Sequence, residues 1–148
     1  MRIILIIFFC VVMSGCDDDS FKDYELDANS FTAKKLAMVQ KEIGMSLPVG
    51  ARGLNMYYHG SRGKPCFVAK IDLPAASWEN FTKQIKQIPV KKDWYLQYPL
   101  SKRVSWWNQS KDSVRVERFF IIGSTGAFVQ LLLCEEHGRF TLYIEFAG

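Results

Sequence analysis

The side chains with the widest chemical reach are few and scattered. The chain carries two histidines, His59 and His137, and four cysteines, at positions 10, 16, 66 and 134. Glu135-Glu136-His137 offers two carboxylates and an imidazole, but its spacing matches no common metal motif. It reads as a solvated turn, as does the segment around His59, so no metal and no cofactor are expected. Gly123-Ser124-Thr125-Gly126 places a serine between glycines, yet it is not G-x-S-x-G. It also joins two β-rich runs rather than a strand and a helix, so it reads as a hairpin turn. No phosphate-binding loop or dinucleotide fingerprint is present. Triads are set by geometry and not by spacing. A small hydrolase would therefore need a Ser or Cys within hydrogen-bond reach of His59 or His137. With no catalytic signature in the sequence, a non-enzymatic protein is expected.

Cys66 and Cys134 each open or close an apolar run. By parity Cys66 falls with Lys70, and Cys134 with Gln130, so both point away from the most apolar face. A bridge between them would close a loop of about 70 residues, worth roughly 4 kcal/mol in the chain-entropy model. The alternative is two buried thiols. Catalytic cysteine pairs are normally close in sequence, and these are not.

The other two cysteines belong to the start of the chain. Residues 3–13 form an unbroken apolar run, with Arg2 before it and Ser14-Gly15-Cys16 after it. A membrane-spanning helix needs about 20 apolar residues. The run is too short to span, but it fits the hydrophobic region of an export signal whose positive end is Arg2. Met13-Ser14-Gly15-Cys16 resembles the lipobox of bacterial lipoproteins: an apolar residue, two small residues, then the lipidated cysteine. Met stands where that family usually has Leu.

The resemblance covers the leader alone. It implies that Cys16 receives a diacylglyceryl group, that residues 1–15 are removed, and that the new amino group is acylated. Each buried CH2 of such chains adds about 0.8 kcal/mol, so two or three acyl chains anchor a protein without spanning the bilayer. Asp17 resembles the signal that retains enterobacterial lipoproteins at the inner membrane. The implied location is a bacterial membrane, facing the periplasm.

The remainder divides simply. Residues 16–29 are polar and acidic and read as a lipidated N-terminus and tether, with Phe21, Tyr24 and Leu26 able to dock. Residues 30–148 read as one domain. The chain has 148 residues, 49% hydrophobic and 23% charged, with a net charge of +4, which suits one globular unit and excludes a disordered chain.

Ser30 is a suitable N-cap for a helix over 31–43, with Leu36, Val39 and Ile43 as its apolar stripe and Gly44 as its C-cap. Residues 54–58 and 66–73 predict a hairpin. Phe67, Ala69, Ile71 and Leu73 share one face of its second strand, with Lys70 and Asp72 on the other. A second helix follows from Ser77 to about residue 87, burying Trp78, Phe81, Ile85 and Ile88. Runs at 114–122, 127–134 and 139–146 predict an antiparallel meander. The order is α-β-β-α-β-β-β. This is an α+β fold: a single antiparallel sheet of about five strands with helices packed on one face.

The segment joining the second helix to the meander is longer than a connection needs. It carries Lys91, Lys92, Trp94, Tyr95, Tyr98, Lys102, Arg103, Trp106 and Trp107. Aromatic and arginine side chains anchor protein interfaces, so these nine residues are the candidate binding surface. The competing reading makes the rings a core beneath the loop and the lysines a solvated face. Single-stranded nucleic acid favours such surfaces, but an exported lipoprotein rarely meets it, and none is expected. The reading favoured here is a membrane-anchored envelope lipoprotein that binds another protein, of the accessory or immunity kind. The alternative is a lipid- or glycan-binding domain with this loop at its mouth.

Overall fold

Strict alternation in the third and last strands builds the centre of one sheet. A computed structural model describes residues 22–61, 65–88, 99–107, 113–136 and 138–148. The leader, Cys16, Asp17, Lys91, Lys92, Trp94, Tyr95, Tyr98 and His137 lie outside the described residues. The elements are β1 (Tyr24–Leu26), α1 (Ala33–Ile43), β2 (Arg52–His59), β3 (Cys66–Leu73), α2 (Trp78–Lys86), β4 (Arg115–Ile122), β5 (Phe128–Glu136) and β6 (Arg139–Ala147). All six strands join one antiparallel sheet in the order β1-β2-β3-β6-β5-β4.

The α+β class and the single antiparallel sheet are as the sequence indicates, but among the described residues the sheet has six strands rather than five. The extra strand is β1, drawn from the residues read as tether. Its three residues have no strand signal of their own beyond Tyr24 and Leu26. Pairing with β2 supplies the rest: the Tyr24 ring stacks on Tyr58 with centroids 4.8 Å apart, and Lys35 Nζ donates to the Tyr24 hydroxyl at 2.9 Å.

Register then sorts the side chains. Met56, Ala69, Ile144 and Leu131 fall in line across four strands on one face, as do Tyr58, Phe67, Phe146 and Val129. These belong to a single buried cluster that includes Val39 and Ile43 of α1 and Trp78, Phe81 and Ile85 of α2. The stripes expected of both helices are therefore the ones that meet the sheet.

The cap of α1 differs from expectation. Thr32 is the N-cap, its hydroxyl accepting from the Lys35 N–H at 3.4 Å. Ser30 instead closes a turn with Asp27, donating its hydroxyl to Asp27 Oδ1 at 2.6 Å. Between them Phe31 is buried over Gly53, where a Cβ would lie 2.2 Å from the ring. Burying that ring moves the helix start two residues on. At the other end Gly44 caps α1 with φ +72°, and Ser124 Oγ donates to the Lys41 carbonyl at 2.7 Å. Ser124 thus pins the β4–β5 turn to α1 and has a structural use. Ser77 precedes α2 as expected, but its hydroxyl donates back to the Pro74 carbonyl at 2.6 Å and makes no cap bond.

Candidate functional site

The polar chemistry lies on the face of the same sheet opposite to α1 and α2. Near the end of β3, Asp72 accepts from Arg52 at 3.0 Å and from Arg139 at 3.2 Å. Beside it Tyr143 donates its hydroxyl to Glu136 Oε1 at 3.0 Å, while Lys70 Nζ lies 3.9 Å from Glu136 and 5.1 Å from the Tyr143 ring centroid. Burial, reinforced by Glu136, pushes the Tyr143 phenol far above its ordinary value. Cys134 is buried with Leu132 and Tyr143 beneath Trp107, whose ring meets Tyr143 edge-on at 5.2 Å. Burial pushes the Cys134 thiol up to about 11, with Glu136 adding to the effect.

The cover of this face is the segment 99–107. It begins with a 3-10 turn, Leu100–Arg103, that buries Leu100. Glu145, only 2% exposed, accepts from the Ser101 N–H at 3.2 Å and from its hydroxyl at 2.9 Å. Farther on, Trp106 Nε1 donates to Glu25 of β1 at 2.8 Å. Of the candidate binding residues, Trp106 and Trp107 are therefore half-buried and engaged by the chain itself, whereas Lys102 and Arg103 are exposed.

The proposed 66–134 disulfide is not formed. Both cysteines do face away from the helices, as parity required. However, Cys66 pairs with Ala147 of β6 and Cys134 with Thr141 of β6, so they sit at opposite ends of that strand. Six residues of strand correspond to roughly 20 Å, whereas bridged Cα atoms lie within about 7 Å.

A cleft of about 190 Å³ opens where β2, β3 and β6 end beneath the 3-10 turn, lined by His59, Cys66, Leu100, Arg103, Glu145, Phe146 and Ala147. His59 and Cys66 are direct partners across the β2–β3 hairpin. Asp23, just ahead of β1, places Oδ1 2.9 Å from His59 Nδ1. It also accepts from the Gly60 N–H at 3.0 Å and, through Oδ2, from the Tyr57 hydroxyl at 2.9 Å. His59, then Tyr57, hold the Asp23 carboxyl below the usual carboxylate range.

No family model, curated protein or solved structure matches this chain. The site must be read from its own geometry. Sequence reasoning sets His59 in a turn and weighs Cys66 as a bridged or a buried thiol, and so misses their meeting. The hairpin register held the signal, since pairing Tyr58 with Phe67 sets His59 opposite Cys66. Asp23 could be found only by recognising β1. Among the described residues no group of three His, Cys, Asp or Glu side chains is arranged to hold a metal ion.

The last feature is the outer edge. β4 has a strand neighbour on one side only among the described residues, namely β5. Val114, Val116 and Ile122 along it are 81%, 47% and 44% exposed. Arg118 is also exposed, whereas Glu117 is held by Lys86 at 3.1 Å and Arg115 at 2.9 Å. Among the described residues no helix is long and apolar enough to cross a membrane.

Proposed function

We propose that this protein is a bacterial envelope lipoprotein, anchored through lipid on Cys16, whose domain binds another protein without catalysing a reaction on it. The anchoring half rests on the apolar run that ends in Met13-Ser14-Gly15-Cys16, a run too short to span a bilayer. Asp17 favours the inner membrane where enterobacterial sorting applies. Metabolic labelling with a palmitate analogue tests this half. The wild type incorporates label and Cys16→Ser does not; equal labelling of both removes the lipoprotein reading.

The binding half is carried by β4. An edge strand presents unpaired N–H and C=O groups to any extended chain, and natural proteins normally blunt such an edge. This one exposes Val116 and Ile122, with Val114 just before it, beside the exposed Arg115 and Arg118. Strand addition would give the partner a main-chain ladder and set its alternate side chains against Val116 and Ile122. Arg118 on the same edge and the net charge of +4 favour an acidic segment. The occupant is therefore an extended segment of another protein with alternating apolar and acidic side chains. Lys102 and Arg103, exposed on the 3-10 turn, add to the basic character of the same sheet face.

Two synthetic peptides, one alternating Val and Glu and the other Val and Lys, test the assignment against the full chain in detergent. The acidic peptide should shift and protect the β4 amides in NMR spectra, and the basic one should not. Perturbation elsewhere, equal effects of both peptides, or self-association through β4 would each overturn it.

A further inference from the structure

The cleft under the 3-10 turn gathers a thiol, an imidazole and a carboxylate that the binding reading does not use. Residues directly opposite in an antiparallel pair project to the same side, with Cβ atoms about 4.5–5.5 Å apart. His59 and Cys66 are such a pair and line one cavity. Asp23 Oδ1 lies 2.9 Å from His59 Nδ1, which leaves Nε2 as the imidazole nitrogen farther from that carboxylate. This is the arrangement of nucleophile, base and orienting group that activates a thiol. Arg103 brings a guanidinium to the rim and Leu100 an apolar wall.

We propose that Cys66 is a nucleophilic thiol, with His59 as its base and Asp23 as a positioning residue, that exchanges with small disulfides bearing carboxylates. His59 takes the proton from Cys66. The Cys66 sulfur attacks one sulfur of the disulfide, forming a new S–S bond as the old one breaks. The departing sulfur receives the proton from His59. Cys66 is oxidised to a mixed disulfide, and the released half is reduced to a thiol by the same electron pair. Exchange needs a sulfur nucleophile, a proton carrier and access, and Cys66 and His59 line one cleft. Arg103 matches a carboxylate on the incoming half. Cys134 is too far along the sheet to resolve the mixed disulfide, so a second external thiol must release it.

The probe is dithiobis(nitrobenzoate), a dicarboxylate disulfide, mixed with the full chain in detergent, with neutral dithiodipyridine as comparator. The phase belonging to Cys66 is the one that Cys66→Ser removes. The groups facing the pair among the described residues are Asp23, Tyr57, Arg103 and Glu145, and the rate is followed against pH for that reason. His59→Asn should slow the phase about tenfold near neutral pH and change the shape of its pH profile. His59→Gln should repeat this if the first variant folds poorly. Asp23→Asn should change the pH profile in the same sense by less. Arg103→Gln should slow the dicarboxylate several-fold and leave the dipyridine rate unchanged. A wild-type rate and pH profile that neither His59 variant changes would overturn the proposal. Equal slowing of both probes by Arg103→Gln would overturn the carboxylate preference.

Discussion

The two faces of this sheet are made by alternate residues of the same strands, and they are held by different physics. On the helix side Phe67, Ala69, Ile71, Phe146 and Ile144 meet the stripes of α1 and α2 in one apolar cluster. The Phe67 and Phe146 rings stack with centroids 4.8 Å apart. On the far side the neighbours of those residues are Asp72, Lys70, Tyr143 and Glu145, each with named partners. The first face is non-directional: it asks for volume and shape and is indifferent to the order of its parts. The second is directional, because a buried carboxylate without its donors costs more than the bond itself yields. The helix face therefore carries the stability, and the far face carries the groups whose identities matter for chemistry.

Truncating a ring in the apolar face should have the largest effect. Phe67→Ala leaves a fully buried site empty and should cost about 3–5 kcal/mol in urea denaturation. A loss under about 1 kcal/mol would erase the distinction between the faces. Next in size is Ser101→Ala, which deprives the buried Glu145 of one of its two donors. It should cost about 1–3 kcal/mol. Adding Glu145→Gln should cost less than the sum of the single changes, because the charge left unpaired is then gone.

A smaller effect concerns pH. The Asp23 carboxyl is held below its ordinary value of 3.8, first by His59 and then by Tyr57. Its contribution is thus fully present above that value and is lost as pH falls through the lower folded value. The melting temperature of the wild type should fall more steeply below about pH 4 than that of Asp23→Asn. Parallel acid limbs for the two proteins would contradict the link between β1 and His59.

The apolar face was the legible one. Alternation in residues 66–73 and 139–146, the Trp78, Phe81 and Ile85 stripe, and Gly44 each state their environment through spacing alone. What the sequence hid was non-local. β1 is three residues in an acidic stretch and is a strand only because β2 offers a partner and Tyr58 a ring to stack on. The insertion of β6 between β3 and β5 decides that Cys66 and Cys134 cannot meet, and no local pattern encodes it. The start of α1 was displaced by one tertiary contact, Phe31 over Gly53. At the candidate site, His59 opposite Cys66 follows from hairpin register, whereas Asp23 arrives from outside any local pattern. The tryptophans of the long connection were read as a binding surface or a core. Trp107 lies on Tyr143 and Trp106 on Glu25, which leaves Lys102 and Arg103 as the exposed members among those described.

The far face is sealed at its centre and open at one end, and the two cysteines report on each part. Cys134 lies beneath Trp107 with its thiol pushed up to about 11, while Cys66 lines the cleft. The direct measurement is pulsed alkylation of the native full chain, with each cysteine followed separately by mass spectrometry. Cys66 should be labelled in the native state. Cys134 should be labelled only as fast as the domain opens, and Trp107→Ala should accelerate Cys134 alone. Equal labelling of both cysteines, or recovery of a 66–134 disulfide, would contradict this division of the face.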